Sequence, residues 1–339
     1  MIRVAGLHEQ VRAGLTTMSR DRLTPAEQLE AVQIGVRALI ARQQRLWTDE
    51  LMPMLASHDI FVHHYAELDE RQRAEARRFY DRDVFPVLTP LAVDPGHPFP
   101  HISNLSLNLA VVVEDPVRGR LFARIKVPAI LPRLILVPSP PESEPSASHF
   151  VWLEELVSAH LDALFPGLAV RDSFLFRVTR DADTDILEDE AGDLLRSVEQ
   201  SLRDRHFGTA VRLELQGDMP EDLKGLLVRH LDLTPADIYY GDGPLAMRDI
   251  MGLVSLDRKE LKDEPLQPVV PRAFGGDIFA AIVRGDILVH HPYDSFAPVV
   301  QFIEAAAVDP GVLAIKQTLY RIGHNLSLIH ISEPTRQAE

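Results

Sequence analysis

The stretch DILVHHPYDSFAPVVQFIEAAAVDPGVLAIKQTLYR, residues 286–321, decides the fold expected of the C-terminal part of the chain. Residues 286–289 are a short apolar run and predict a buried strand. His291, Pro292, Tyr293 and Asp294 make a turn. From 295 to 308 the residues Phe296, Val299, Val300, Ile303 and Ala307 recur at spacings of three and four, which predicts a helix with one apolar face. Pro298 fits its first turn, where no amide partner is lost. Asp309, Pro310 and Gly311 end it, and 312–319 is a second apolar run, closed by Tyr320 and Arg321. Strand, helix, strand is the unit of a parallel α/β sheet, and such sheets place ligands at the carboxyl ends of their strands. Arg321 stands at such an end, where a guanidinium suits phosphate. A surface arginine after a core strand satisfies the same spacing.

Working outward, the 339 residues predict two or three domains. Hydrophobic residues at 46% and charged residues at 25% are a globular balance. There is no cysteine, which excludes disulfides and thiolate metal sites and makes a reducing cytoplasm the expected location, at or away from the inner-membrane surface. No apolar stretch reaches membrane-spanning length and the start lacks a signal-peptide pattern. A net charge of −15 argues against a broad nucleic-acid-binding face; a polyanionic ligand would need a local basic channel.

Residues 3–18 carry a helical pattern. Thr24 is the N-cap of a longer one, with Pro25 first in the helix and Glu27 closing a capping box. Leu29, Val32, Val36, Leu39, Ile40, Leu46 and Trp47 make an apolar stripe, so 1–59 is expected to be a helical domain. Residues 60–63 predict a strand and 69–80 a charged helix. His63 and His64 are neighbours on that strand and point to opposite faces, which makes joint chelation awkward. The segment 85–100 predicts loop; Pro98 and Pro100 break any helical pairing of His97 with His101 as metal ligands. Strands are expected at 105–114 and 121–127 around the turn Asp115-Pro116-Val117-Arg118-Gly119, then at 134–137, 174–178 and 210–215. Helices are expected at 150–164, 190–205 and 221–231, with a surface loop at 139–148. The mixture is α+β for 60–268.

The carboxylates Asp181, Asp183, Asp185, Glu188, Asp189 and Glu190 invite a calcium-loop test. Such a loop needs Gly sixth and Glu twelfth, where this sequence has Ile186 and Gly192. They read instead as a solvated loop favouring the N-terminus of the next helix. Residues 259–276, with three prolines and a Gly275-Gly276 pair, read as a linker. There is no GxxxxGK[ST], GxSxG or HExxH.

LVHHPYDSF followed by DPGVLAIKQTLYR, together with RVAGL near the start, FPVLTPLAVDPGHPFPHISNLSLNLAV at 85–111 and TRDADTDILEDEAGDLL at 179–195, closely resembles the large polyphosphate kinases that phosphorylate themselves on histidine. The resemblance runs from Arg3 to about Gly323. It implies a helical N-terminal domain (1–59), an α+β head domain used in subunit contact (60–268) and the opening of a phospholipase-D-like α/β catalytic domain (269–325). It implies reversible transfer of the ATP γ-phosphate to inorganic polyphosphate through a phosphohistidine, with Mg²⁺, and a homo-oligomer formed through the head domain. Arg321 matches the family arginine assigned to the magnesium-nucleotide site; a guanidinium is a poor metal ligand and is expected to hold phosphate oxygens beside the metal.

The family's phosphorylated histidine lies in a later His-x-Lys motif, and no such triplet occurs here, so His290 and His291 read as strand-end residues. A nucleotide-contacting asparagine would precede RVAGL, before Met1, which makes Met1 read as an internal start. Residues 326–339, LSLIHISEPTRQAE, match nothing expected of the family and read as an artefactual tail. On these grounds the chain alone is expected to be catalytically silent. A non-catalytic oligomerisation module derived from the same family is the alternative.

Overall fold

The computed structural model describes residues 2–93, 99–144, 146–181 and 208–316, and its contacts divide the chain into a unit of residues 1–256 and one of residues 257–339. The first unit is built on a six-stranded sheet in the order β2-β4-β3-β7-β8-β9: β2 (Leu91–Val93), β3 (Leu107–Asp115), β4 (Gly119–Lys126), β7 (Ala169–Arg180), β8 (Ala210–Gln216) and β9 (Ile238–Gly241). All neighbours are antiparallel except β8 and β9, which are parallel. The β3–β4 hairpin forms where the sequence predicts it. The Asp115 carboxylate accepts the amides of Val117 and Arg118, and Gly119 takes φ +76°.

β3 is buried on both faces from Leu107 to Val113. The apolar character of its second face, Ala110 and Val112, explains why: those residues meet Phe122, Phe174, Phe176, Leu213 and Leu215 under helix α6 (Glu221–His230). Leu107, Leu109, Val111 and Val113 face the other way, onto α4 (Glu70–Phe79), α5 (Leu153–Ser158) and a second sheet. That sheet has the order β1-β6-β5, from β1 (Ile60–His63), β5 (Leu134–Val137) and β6 (Ser148–Trp152), with β1 and β6 parallel. Its outer face packs Phe150 and Trp152 against Trp47.

Three local expectations are corrected here. The predicted helix at 150–164 begins as β6: pairing on both sides, with β1 and β5, overrides the helical pattern until Leu153. The expected loop at 85–100 contains a helical turn (Phe85–Val87) and β2, recruited by β4. The short strand β9, absent from the sequence expectation, is drawn in beside β8.

Two helices, α1 (Ile2–Arg12) and α2 (Pro25–Arg45), precede the sheets, followed by a π-helical turn (Leu46–Leu51) and α3 (Met52–Ala56). The Thr24 hydroxyl accepts the Glu27 amide at 3.3 Å and the Glu27 carboxylate accepts the Thr24 amide at 2.8 Å, which is the predicted capping box. Replacing Thr24 with alanine is expected to cost about 1 kcal/mol, read as a shift of the urea midpoint at constant slope; an unchanged midpoint would show the box to be idle. The apolar stripe on α2 is only partly used. Leu29 and Trp47 are buried, while Val32, Leu39 and Leu46 are exposed. The reason is that α2 docks through polar groups on a neighbouring face. Gln33 donates to Asp237, Arg37 to the Ala236 carbonyl, and Gln44 accepts the Asp242 amide.

In the second unit, α7 (Ile278–Val283) is capped by Asp277, and α8 (Ala297–Val308) carries Pro298 in its first turn as predicted. The expected strands do not form among the described residues: 286–289 and 312–316 are extended or irregular without a ladder. The only pairing described in this unit is a single bridge between Val269 and Asp294. A parallel strand needs neighbours on its edges, and these two runs have none there, so Leu288 and Leu313 stay almost fully exposed.

Candidate functional site

Arg321 lies outside the described residues, as do His97 and all of the acidic stretch after Asp181. The strand expected to carry Arg321 is followed only to Lys316.

His290 and His291 are exposed, in a turn closed by Asp294. The Asp294 carboxylate accepts the His290 amide at 2.7 Å, and the His291 Nδ1 meets the Asp294 carbonyl at 2.9 Å, so that nitrogen carries the proton. These contacts shape the turn.

His63 and His64 do point apart, as adjacent strand residues must. His64 pairs with Glu155 at 2.8 Å. His63 meets the Nδ1 of His149 at 2.9 Å, with the two rings stacked. His149 lies on the neighbouring strand β6, opposite Phe61 and so diagonal to His63, a partner that local sequence cannot reveal. Burial lowers the pKa of His63, His149 and His160, and the neighbouring His63 lowers that of His149 further. His101 is lowered to about 4 by desolvation and then by Arg180 and Arg124. His64 goes the other way: desolvation opposes its charge, but the Glu155 hydrogen bond and attraction raise it.

The sign of the pH dependence follows. The lowered histidines favour the fold in their neutral form, so their contribution is complete above the unfolded value of 6.5 and is lost as pH falls through their folded values. The raised His64 contributes below 6.5 and loses that contribution as pH rises, and its exposure makes the effect small. Stability to urea is therefore expected to fall between pH 7 and pH 5, and His149→Gln to flatten that fall. An identical slope in the variant would remove the His63–His149 pair as its cause.

The first unit also brings together basic and aromatic side chains that the sequence reading missed. Asp237 is buried; the burial raises its pKa, but the His8 imidazole 3.2 Å away and hydrogen bonds from Thr234 outweigh that effect and lower it. It anchors Gln33, and with Arg12 on Asp232 it fixes α1 and α2 beside β9. Beside these anchors are two adjoining hollows of about 750 and 180 Å³, sharing Ile40, Gln44, Tyr239 and Tyr240. Arg37 and Arg45 come from α2, Arg177 from β7, Arg212 from β8, and Arg248 follows β9. Arg177 and Arg212 both bind one carboxylate, Glu214, at 2.8 Å. Alternation along β8 puts Arg212 and Glu214 on one face; only the long-range approach of α2 shows what that face meets. Such an arrangement can hold an anion. Among the described residues no group of three or more His, Asp or Glu is placed to hold a metal ion, so these residues alone offer magnesium no cage.

The family model for the polyphosphate kinase middle domain matches residues 71–253, that for the N-terminal domain residues 1–63, and that for C-terminal domain 1 residues 277–336. The chain belongs to the polyphosphate kinase family. It is 45% identical over 334 residues to polyphosphate kinase 1 of Chlorobaculum tepidum, covering 97% of this chain and 48% of that one. It is 42% identical over 351 residues to the polyphosphate kinase of Aphanizomenon baltica, covering 96% of this chain and 91% of the relative's sequence. The crystal structure of polyphosphate kinase from Porphyromonas gingivalis superposes with a TM-score of 0.70 at 23% identity, covering 97% of this chain and 47% of that one, and so shares the fold. The chain thus spans about half the length of the first polyphosphate kinases it matches. The match to C-terminal domain 1 runs to residue 336, across most of 326–339, the segment expected from its sequence to match nothing of the family. No described helix is long and apolar enough to cross a membrane.

Proposed function

We propose that this sequence serves a polyphosphate kinase that reversibly transfers the γ-phosphate of ATP to inorganic polyphosphate. Three consecutive domain matches in family order carry the reading. On it, residues 1–59 are the N-terminal domain, 60–268 the head domain that joins subunits, and 269–325 the opening of the first catalytic domain. A histidine attacks the γ-phosphorus, ADP leaves with the electrons of the broken P–O bond, and the terminal oxygen of the polymer then takes the phosphoryl group. Arg321, through its match to the family arginine, holds phosphate oxygens beside the metal. Magnesium, when bound, neutralises phosphate charge. No His-x-Lys triplet occurs in these 339 residues, so on this reading they do not supply the nucleophile.

The test is to express the complete open reading frame and supply γ-labelled ATP, polyphosphate and magnesium. Label should enter polyphosphate, pass through an acid-labile protein phosphate, and stop when magnesium is chelated. A purified product that assembles with itself yet transfers no label would instead establish the oligomerisation module.

A further inference from the structure

We propose that the cleft between α2 and the β7–β9 edge of the large sheet is a docking groove for inorganic polyphosphate, gripped by Arg45 and Arg248 beside the Arg37/Arg212 pair. The proposal rests on the reading above for the identity of the polymer and on the cleft alone for its location.

The charge argument is local. Five arginines line the two hollows, against Asp49, Glu214 and Asp242, so the cleft carries two net positive charges in a chain whose net charge is −15. Glu214 is shared by Arg177 and Arg212, so one carboxylate answers two guanidiniums. Among the described residues Arg37, Arg45 and Arg248 have no carboxylate in ion-pair contact. Arg45 and Arg248 are exposed and available to a ligand. A basic groove in an acidic surface concentrates anions where it lies and repels them elsewhere.

The aromatic side chains decide which polyanion fits. Nucleic acids are held on grooves of this kind by stacking bases on open aromatic faces. Here Tyr239 is buried, with Arg37 over its ring at 5.3 Å and Arg212 at 4.9 Å. The half-exposed Tyr240 has the Lys224 ammonium over its ring at 4.9 Å. The rings are taken up as supports for cations. What remains for a ligand is a line of donors and charge, the recognition that a phosphate chain without bases needs. The adjoining hollows give that line length, as an extended polymer requires.

The experiment titrates the protein into end-labelled polyphosphate and reads fluorescence anisotropy across a salt series. Arg45→Glu with Arg248→Glu is expected to weaken binding about tenfold or more and to flatten the salt dependence. Both side chains are exposed, so circular dichroism and the urea midpoint should be unchanged. The matched control, Arg71→Glu with Arg118→Glu, makes the same change in net charge at exposed positions elsewhere and should bind within about twofold of the parent. Unchanged binding in the first variant, equal loss in the control, or no binding by the parent would overturn the groove. Equal affinity for RNA, lost in the same variant, would overturn polyphosphate as its ligand. Phosphate transfer by the complete protein together with normal polyphosphate binding by the variant removes the groove and leaves the kinase reading; the converse result removes the kinase reading alone.

Discussion

Arg133→Ala should lower stability by about 3–5 kcal/mol, the largest effect expected of any single surface-remote change here. Arg133 and Glu154 are each only 7% exposed. The guanidinium donates to both Glu154 oxygens, at 3.1 Å from Nε and 2.5 Å from Nη2, donates to the Ala246 carbonyl, and lies over the Trp152 ring at 4.8 Å. Removing it leaves a desolvated carboxylate without a counter-charge beside the apolar cluster of β6 and α5. Solvation of that carboxylate was given up on folding, and only the pair made the exchange tolerable. The double replacement Arg133→Met with Glu154→Leu should therefore be far milder than the single change, because no charge is then left buried. Urea unfolding of the three variants gives the comparison. A single-variant cost under about 1 kcal/mol would show that water reaches Glu154 and that the pair behaves as a surface bridge.

The second large effect belongs to Arg321. In the complete enzyme, Arg321→Ala should reduce kcat/KM by about 2–4 kcal/mol of transition-state stabilisation, the scale of losing one preorganised donor at a developing negative charge. Arg321→Lys should recover part of this, since a point charge holds one phosphate oxygen where the planar fork holds two. The unfolding midpoint should stay where it is, which separates a lost contact with substrate from a lost fold. Turnover at the parental rate in the alanine variant would take Arg321 out of the phosphate site.

What the sequence made legible follows from how local each feature is. The strands Ile60–His63 and Leu134–Val137 were readable to the residue, because each is a short apolar run set off by a breaker, Asp59 before the first and Pro132 and Pro138 around the second. The Thr24 capping box was readable because all of its parts lie within four residues. β6 and β9 were not: each is a short segment that becomes a strand when distant strands offer their edges. The strands expected around α8 fail for the converse reason, since suitable sequence finds no ladder among the described residues. The basic cleft was invisible for the same physical cause as β9. Arg37 and Arg212 share the ring of Tyr239 but stand 175 residues apart in the chain. Family resemblance reached further than pattern, because its motifs record long-range constraints that periodicity does not.

The polar docking of α2 sets a rhythm for the motions of the first unit. β3, shielded on both faces, can exchange its amide hydrogens only when the whole sheet comes apart. α2 is tied down by hydrogen bonds of Gln33, Arg37 and Gln44 rather than by a continuous apolar seam, while Val32, Leu39 and Leu46 already face solvent. Its lifting exposes little new apolar surface, so its amides should exchange through frequent small openings that leave the sheet intact. The wall of the basic cleft is then its most yielding part, and a polymer too long to thread a rigid groove from its end can be laid in from the side.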